Sequence, residues 1–524
     1  MAGVYKKLTR RKRLWFLIAG LAVVAAILTA ALLSIPIRSD TLKARVIALL
    51  SDQLESEVTI DHLEGRVYPR VGVSGRGVVI RHKGRTDVPP LITIDEFEIR
   101  GSLRDLLRHP RRVAEVRLKG LEVKIPPGDD DNGEQVPATR DASQVEERTR
   151  KLEQVIIDRF EAPDTVITLI PKRPGKRPKV FTVHHLVMDR LGINQTIPYI
   201  ATLTNPVPRG EIETSGTFGP WNVAYPARTP VTGNYGFDGA NLDTIDGLAG
   251  TLSSKGSFNG PLNRIQVQGT TDTPNFQIDV GGAPVPLTTR FSALVDGSDG
   301  DTYLQQVDAK VLDSQISAQG AVIGFEGVQG RQIEVDVKMD NGRIEDLLKL
   351  AVASDKPILT GAARLQARLV IPPEKKKVID KLRLQGQFSL TKGTFTDPTV
   401  QTKLIGLSRR GRGIQQDEPA GDVLSNFQGR FVVQNGVVSF QQLTFSVPGA
   451  AVELAGRYGM RSETIDFRGK LKLQATLSQV VGGGAKGFFL KVFDPFFKKP
   501  GAGMVLPIKI AGSRKAPKFG LDMF

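Results

Sequence analysis

The side chains able to do acid–base, nucleophilic or metal chemistry are few and scattered. Five histidines, His62, His82, His109, His184 and His185, stand before the middle of the 524-residue chain, and none falls in an H-E-x-x-H or other paired metal spacing. Read as part of a strand, His184 and His185 point to opposite sides, so packing or surface roles are expected of all five. The run Asp129, Asp130, Asp131, Asn132 and Glu134 has the charge to attract calcium, but Gly133 is not where an EF-hand loop places its glycine, and a solvated acidic loop is expected. Gly75-Arg76-Gly77 lacks the third glycine and the following helix of a dinucleotide site, and neither a P-loop nor a G-x-S-x-G elbow occurs. The absence of cysteine removes disulfides, thiolate metal sites and cysteine nucleophiles. Carboxylates are plentiful, but a glycosidase pair is defined by separation in space, which sequence does not give. A non-enzyme with no cofactor and no metal is the expectation.

Hydrophobic patterning decides what carries these residues. Leu14 to Ile35 holds no charge and, at about 1.5 Å per residue, matches a hydrocarbon core of roughly 30 Å. Lys6, Lys7, Arg10, Arg11, Lys12 and Arg13 precede it and should keep that end in the cytoplasm. A cleaved signal peptide has an apolar region of about 7 to 15 residues and an A-x-A ending. This run is longer and has no A-x-A, so a retained single-pass anchor is expected, with the bulk of the chain outside the inner membrane. Ser39 or Asp40 can cap a following helix with Val46, Leu49 and Leu50 on one face. The formal net charge is +16, but six cations sit in the leader and the others are scattered among acids rather than interleaved with aromatics. Nucleic acid is therefore not an expected partner.

From Val58 onward the pattern has period two. Ile333, Val335, Val337 and Met339 alternate with Glu334, Asp336, Lys338 and Asp340, and similar ribbons run through 116–125, 276–280, 431–433, 440–447, 452–454 and 465–473. Turn signals at Asp299-Gly300, Asn341-Gly342, Lys392-Gly393, Asn435-Gly436 and Pro448-Gly449 suggest antiparallel hairpins. Brief helices are expected at Leu103–Arg108, Gln144–Phe160 and Ile344–Val352, and loops at Pro126–Thr139 and Pro171–Pro178. The runs sum to roughly 22 to 28 strands. One continuous sheet or two or three sandwiches would both satisfy the pattern.

The order of elements carries a family likeness. LKARVIALLSDQLESEVTIDHLEGRVYPRVGVSGRGVVIRHKG, then PLITIDEFEIRGSLRDLLRHPRRVAEVRLKGLEVKI, resembles the opening of AsmA-like bacterial envelope proteins of the TamB and YhdP type. FQGRFVVQNGVVSFQQLTFSVPGAAVELAGRYGMRSETIDFRGKLKL and LPIKIAGSRKAPKFGLD resemble the family's closing strands. The resemblance implies a mainly β fold: a transmembrane helix followed by an elongated, curved antiparallel sheet with an apolar groove and a few short helices. It also implies phospholipid transport toward the outer membrane and support of envelope integrity. On this reading 1–13 is a basic leader, 14–35 the anchor, 36–125 an N-terminal AsmA-like region, 126–260 a variable middle, 261–425 a β-rich groove region and 426–524 a C-terminal AsmA-like region.

A two-faced ribbon must hide its apolar side, and lipid tails are one way to do so, at about 25 cal/mol per Å². The candidates are Ile333, Val335, Val337, Phe431, Phe445, Leu454, Phe467, Leu471, Leu473 and Ile508; an ordinary sandwich core would use the same positions. Within 482–499, Phe488, Phe489, Phe493, Phe496 and Phe497 mingle with Lys491, Lys498 and Lys499, which suits a leaflet contact, a plug or a subunit contact. Expected partners are phospholipids and the inner membrane, with outer-membrane or envelope proteins as further partners. A non-transporting envelope scaffold, or an assembly factor for outer-membrane proteins, is the alternative.

Overall fold

The computed structural model describes residues 43–44, 46–48, 50–51, 56–66, 71–82, 90–106, 111–125, 155–169, 179–192, 194–222, 228–245, 247–278, 282–297, 300–325, 328, 330–351, 356–374, 376–413, 423–475, 503–513 and 516–522. The expected anchor at 14–35 and the Phe/Lys segment at 482–499 lie outside these residues, as do the loops predicted at 126–139 and 171–178. Among the described residues no helix is long and apolar enough to cross a membrane. Among the described residues the protein is mainly β, with 25 strands in one sheet and few helices. Contacts divide the chain into two compact units, Met1–Asn241 with Ser253–Gly269 and Leu294–Asp301, and Leu242–Leu252 with Thr270–Ala293 and Thr302–Phe524.

In the first unit β1 (Ser56–Arg66), β2 (Val71–His82), β3 (Ile92–Gly101) and β4 (Arg111–Ile125) form an antiparallel meander. Their alternation buries Val58, Ile60, Val78, Ile94, Phe97, Val116 and Leu118 at 5% exposure or less. Val46 and Leu50, from helical turns within 43–51, are fully buried in the same core, as their spacing predicts. Gly75 and Gly77 belong to β2, where a Cβ would run into the Phe97 ring and the Asp61 side chain, so packing accounts for both. A short helix, α1 (Leu103–Leu106), links β3 to β4.

The stretch predicted as a helix at 144–160 is in part a strand. β5 (Val155–Glu161) and β6 (Thr165–Leu169) both lie parallel to β4 and antiparallel to β7 (Lys179–Leu191). They act as one interrupted strand: Ala162 N–H donates to Leu186 O at 2.9 Å, and Thr165 Oγ1 donates to Ala162 O at 3.1 Å across the break. Val155, Ile157 and Phe160 are buried, and the pairing on both edges outweighs the helix-like spacing of charges upstream. β8 (Ile197–Pro206), β9 (Arg209–Phe218) and β10 (Pro230–Asn241) continue the meander.

Next in the chain come β11 (Leu248–Ala249), β12 (Thr251–Pro261), β13 (Ile265–Ile278) and β14 (Val285–Val295); the second unit then contains β15 (Thr302–Val311), β16 (Ser314–Gly324), β17 (Arg331–Arg343), β18 (Leu359–Ile371), β19 (Arg383–Phe395), β20 (Ser425–Gln434), β21 (Val437–Val447), β22 (Ala450–Gly459), β23 (Thr464–Leu473), β24 (Met504–Ser513) and β25 (Ala516–Leu521). Each pairs antiparallel with the next. Asn435-Gly436 forms the expected two-residue hairpin, with φ of 52° and 72°. Asn341-Gly342 and Lys392-Gly393 do not turn the chain: they are bulges inside β17 and β19.

α2 (Ile344–Ala351) follows β17 where the spacing predicts a helix, whereas α3 (Val378–Lys381) and the 15-residue α4 (Pro398–Arg412) are not revealed by the pattern. Asp397 caps α4 by accepting from Thr399 and Val400 N–H at 2.7 and 3.2 Å, Pro398 starts it, and Gly413 ends it in the left-handed conformation.

Buried acids lock α2 to the sheet. Asp346 accepts from Ser314 Oγ at 2.8 Å, while Glu345 accepts from Arg343 Nε at 2.6 Å and Gly361 N–H at 3.1 Å. Burial raises the Glu345 pKa, but hydrogen bonds from its own backbone, Arg343 and Gly361 outweigh it and hold the carboxyl below its usual range. A depressed folded-state pKa adds stability that is present above the unfolded value and lost as pH falls through the folded one. Glu345→Gln is expected to cost about 1–3 kcal/mol at pH 7. Thermal melts between pH 7 and 3 should show a smaller acid-induced loss in the variant than in the unsubstituted chain.

Candidate functional site

Cross-strand register joins the apolar positions of the second unit into continuous rows. One row runs Ala318, Val337, Ala367, Gly386, Phe431, Phe440, Gly456, Phe467 and Ile510 through successive neighbours from β16 to β24. The next holds Leu365, Phe388, Gly429, Leu443, Leu454, Gly469 and Ile508, and a third holds Leu390, Phe427, Phe445, Val452 and Leu471. All ten residues predicted as groove-lining therefore share one face. Nine of them are half-buried and only Leu473 is buried. The first unit instead closes its apolar face completely at most inward positions.

Aromatic rings tile this face. Phe440 lies at the centre, with ring centroids 6.5 Å from Phe388, 6.4 Å from Phe431 and 5.8 Å from Phe467. Phe427 stands 4.7 Å from Phe445 and 6.0 Å from Phe395. Glycines alternate with the rings: Gly386 opposes Phe431, Gly429 opposes Phe388, and Gly456 lies between Phe440 and Phe467. A Cβ at Gly456 would overlap Asp466 O and stand 2.6 Å from Phe467 Cα, so the rings lie over bare backbone.

Helices cover the face at one end of the strands. Ile344 and Leu347 of α2 pack with Met339, Ala363 and Leu390, and Ile405 and Leu407 of α4 pack with Val447, Ala450, Leu473 and Met504. Ser408 Oγ donates to Pro448 O at 2.7 Å, and Ala475 N–H donates to Gly411 O at 2.7 Å, which seats α4. Leu473 thus fills a helix-covered core rather than the open face, and Phe445 and Leu471 border that core. Toward the other end, Val335, Phe431, Phe467 and Ile465 lie beyond these helix-covered cores and are half-buried. The rows continue to β25, the last strand, where Phe519 beside Ile510 is 75% exposed. Sequence reading did not single out Phe388, Phe427 or Phe440 as lining residues, although phenylalanine and glycine two residues apart, as in Gly386/Phe388 and Phe427/Gly429/Phe431, marks the same face.

Of the histidines, His62, His184 and His185 have described side chains. A bulge in β7 leaves both His184 and His185 exposed, rather than on opposite sides. His184 Nε2 lies 2.7 Å from Thr204 Oγ1, which donates to Glu211 Oε1 at 2.6 Å. In a nucleophilic triad the carboxylate orients the imidazole; here it takes the hydroxyl proton directly, and His184 and Glu211 are about half exposed. His62 pairs with Glu64 at the surface. Among the described residues no group of three His, Cys, Asp or Glu is placed to hold a metal ion. Comparison of the chain with protein-family models, curated proteins and solved structures finds no match.

Proposed function

We propose that this chain is a single-pass inner-membrane protein, with its N-terminus cytoplasmic and its bulk periplasmic, that shelters phospholipid tails in a hydrophobic β groove. It assists their transport between the inner and outer membranes and so supports envelope integrity, without making or breaking bonds. The supporting observation is the half-buried, ring-tiled face of the second unit, whose longest row crosses nine strands without a polar interruption. Each methylene placed there would gain about 0.8 kcal/mol. The phosphate stays in water, because burying an unpaired charge costs more than the tail gains. The charged anchor flank, the AsmA-like ends and the Phe/Lys segment at 482–499, as a leaflet contact, accord with this reading.

Photocrosslinking side chains at Val335, Phe431 and Phe467 are expected to capture copurifying phospholipid, and one at Gln385 on the opposite face is not. Failure at all three apolar sites would remove the lipid reading. If envelope integrity nonetheless depended on the folded chain, a non-transporting scaffold or an outer-membrane protein assembly factor would take its place.

A further inference from the structure

The opposite, polar face of the same strands carries a feature that lipid holding does not use. Between β15 and β21 it forms an open concavity of about 930 Å³, at the upper end of the range of clefts that hold small molecules. Glutamines are the commonest lining residue, among them Gln306, Gln319, Gln366, Gln385, Gln387 and Gln441, and they alternate along the strands with Val337, Phe431 and other members of the first apolar row, which also border the concavity. Register explains their convergence. Lys338, Gln366, Gln387 and Arg430 stand in one cross-strand row, and Asp336, Arg368, Gln385 and Val432 form the next. A water-facing strand position asks only for a polar side chain, and threonine suits strands well, so strand formation does not account for this concentration of glutamine.

The charges of the concavity are largely spent within it. Arg368 is engaged by Glu334 and lies 4.0 Å from Asp336, Lys338 pairs with Asp340 at 2.7 Å, and Asp308 accepts from Gln306 at 2.8 Å. Arg430 is left without a partner among the described residues. The site therefore lacks the cation excess that a nucleic acid needs and the free carboxylates that a divalent cation needs. Its strands are paired on both edges, so a peptide cannot dock by adding to the ladder. What remains is neutral hydrogen-bonding capacity. Gln387 donates to Gln366 at 2.8 Å, whereas the side chains of Gln319, Gln385 and Gln441 make no hydrogen bond to described residues. An amide offers donors and acceptors together, which matches a hydroxyl, itself both donor and acceptor.

We infer that this amide-lined face is a binding site for a neutral oligosaccharide. Tyr303, 43% exposed and two residues from Gln305 along β15, adds a flat apolar surface on the same face beside the amides. The site is independent of the lipid reading, because it uses the other side of the sheet.

The test takes the full chain in lipid nanodiscs, which avoid sugar-headed detergents. It measures saturation transfer and titration with two soluble probes, the N-acetylglucosamine tetramer and maltotetraose. At least one tetrasaccharide is expected to bind, and Gln385→Thr/Gln387→Thr to weaken that binding by about tenfold, the effect of losing one or two modest hydrogen bonds. Circular dichroism checks the fold of the double variant, and Gln441→Thr provides a second reading at a separate position. Absence of transfer from both probes, or binding unchanged in both variants, overturns the proposal. Lipid capture at Phe467 should be the same in these variants, so failure here leaves the lipid reading untouched.

Discussion

A Phe440→Asp chain is expected to fold and to copurify with about a tenth or less of the lipid carried by the unsubstituted chain. The tenfold figure is modest: losing contact with two methylenes, at about 0.8 kcal/mol each, already supplies it. Phe440 is the centre of the ring array, touching Phe388, Phe431 and Phe467. A carboxylate there would have to shed water whenever a tail covered it, without an opposing cation on that face. Because Phe440 is half-buried, the substitution should cost the fold no more than about 1–3 kcal/mol. Lipid extraction and mass spectrometry give the readout, with circular dichroism for the fold. Phe440→Leu keeps an apolar surface and should keep most of the lipid. Undiminished lipid in Phe440→Asp would mean that tails do not lie on this face.

The second large effect falls on the backbone. Gly469→Val is expected to destabilise the second unit by about 3 kcal/mol or more. A Cβ at this position would overlap Glu453 O and stand 2.9 Å from Leu454 Cα, both backbone atoms that cannot swing aside. Gly436→Ala provides the contrast: nothing lies within 4 Å of its added Cβ, and only the positive φ of 72° is strained. Its cost should be about 1 kcal/mol. Urea unfolding of both variants separates the two causes. Equal destabilisation would show that conformation, not close strand approach, governs the glycines under the rings.

Much of the fold was legible because period-two alternation survives wherever one face is apolar and the other wet. Ile333, Val335 and Val337 announce β17 this way, and Asn435-Gly436 announces its hairpin. Other signals misled for local reasons. Asn341-Gly342 has turn chemistry, yet β17 spends it on a bulge before α2. Val155-Ile156-Ile157 follows a charged stretch of helical spacing, while what decides its state is a berth between β4 and β7 that only the folded chain supplies. The start and stop signals of α4 were present in Asp397-Pro398 and Gly413, but Gly406 and a weak apolar stripe hid the helix between them. For the site, the sequence announced which residues face one way. It could not announce that the face stays half-buried, since exposure depends on what packs above it, nor that glutamines from separate strands converge on the reverse side.

The parallel placement of β5 and β6 carries a consequence for assembly. From β16 to β25 every strand pairs with the one made just before it, mostly across short connections, with longer closures from Gly393 to Ser425 and from Leu473 to Met504. β5 reaches back 44 positions to find Val155 beside Arg111, and the lane it enters is not walled on its far side until β7 has arrived. Closure cost grows only with the logarithm of loop length, so what sets β5 apart is that it must settle beside β4 in parallel while β7 is still to come. The first unit is complete only when β7 has closed the far side of that lane.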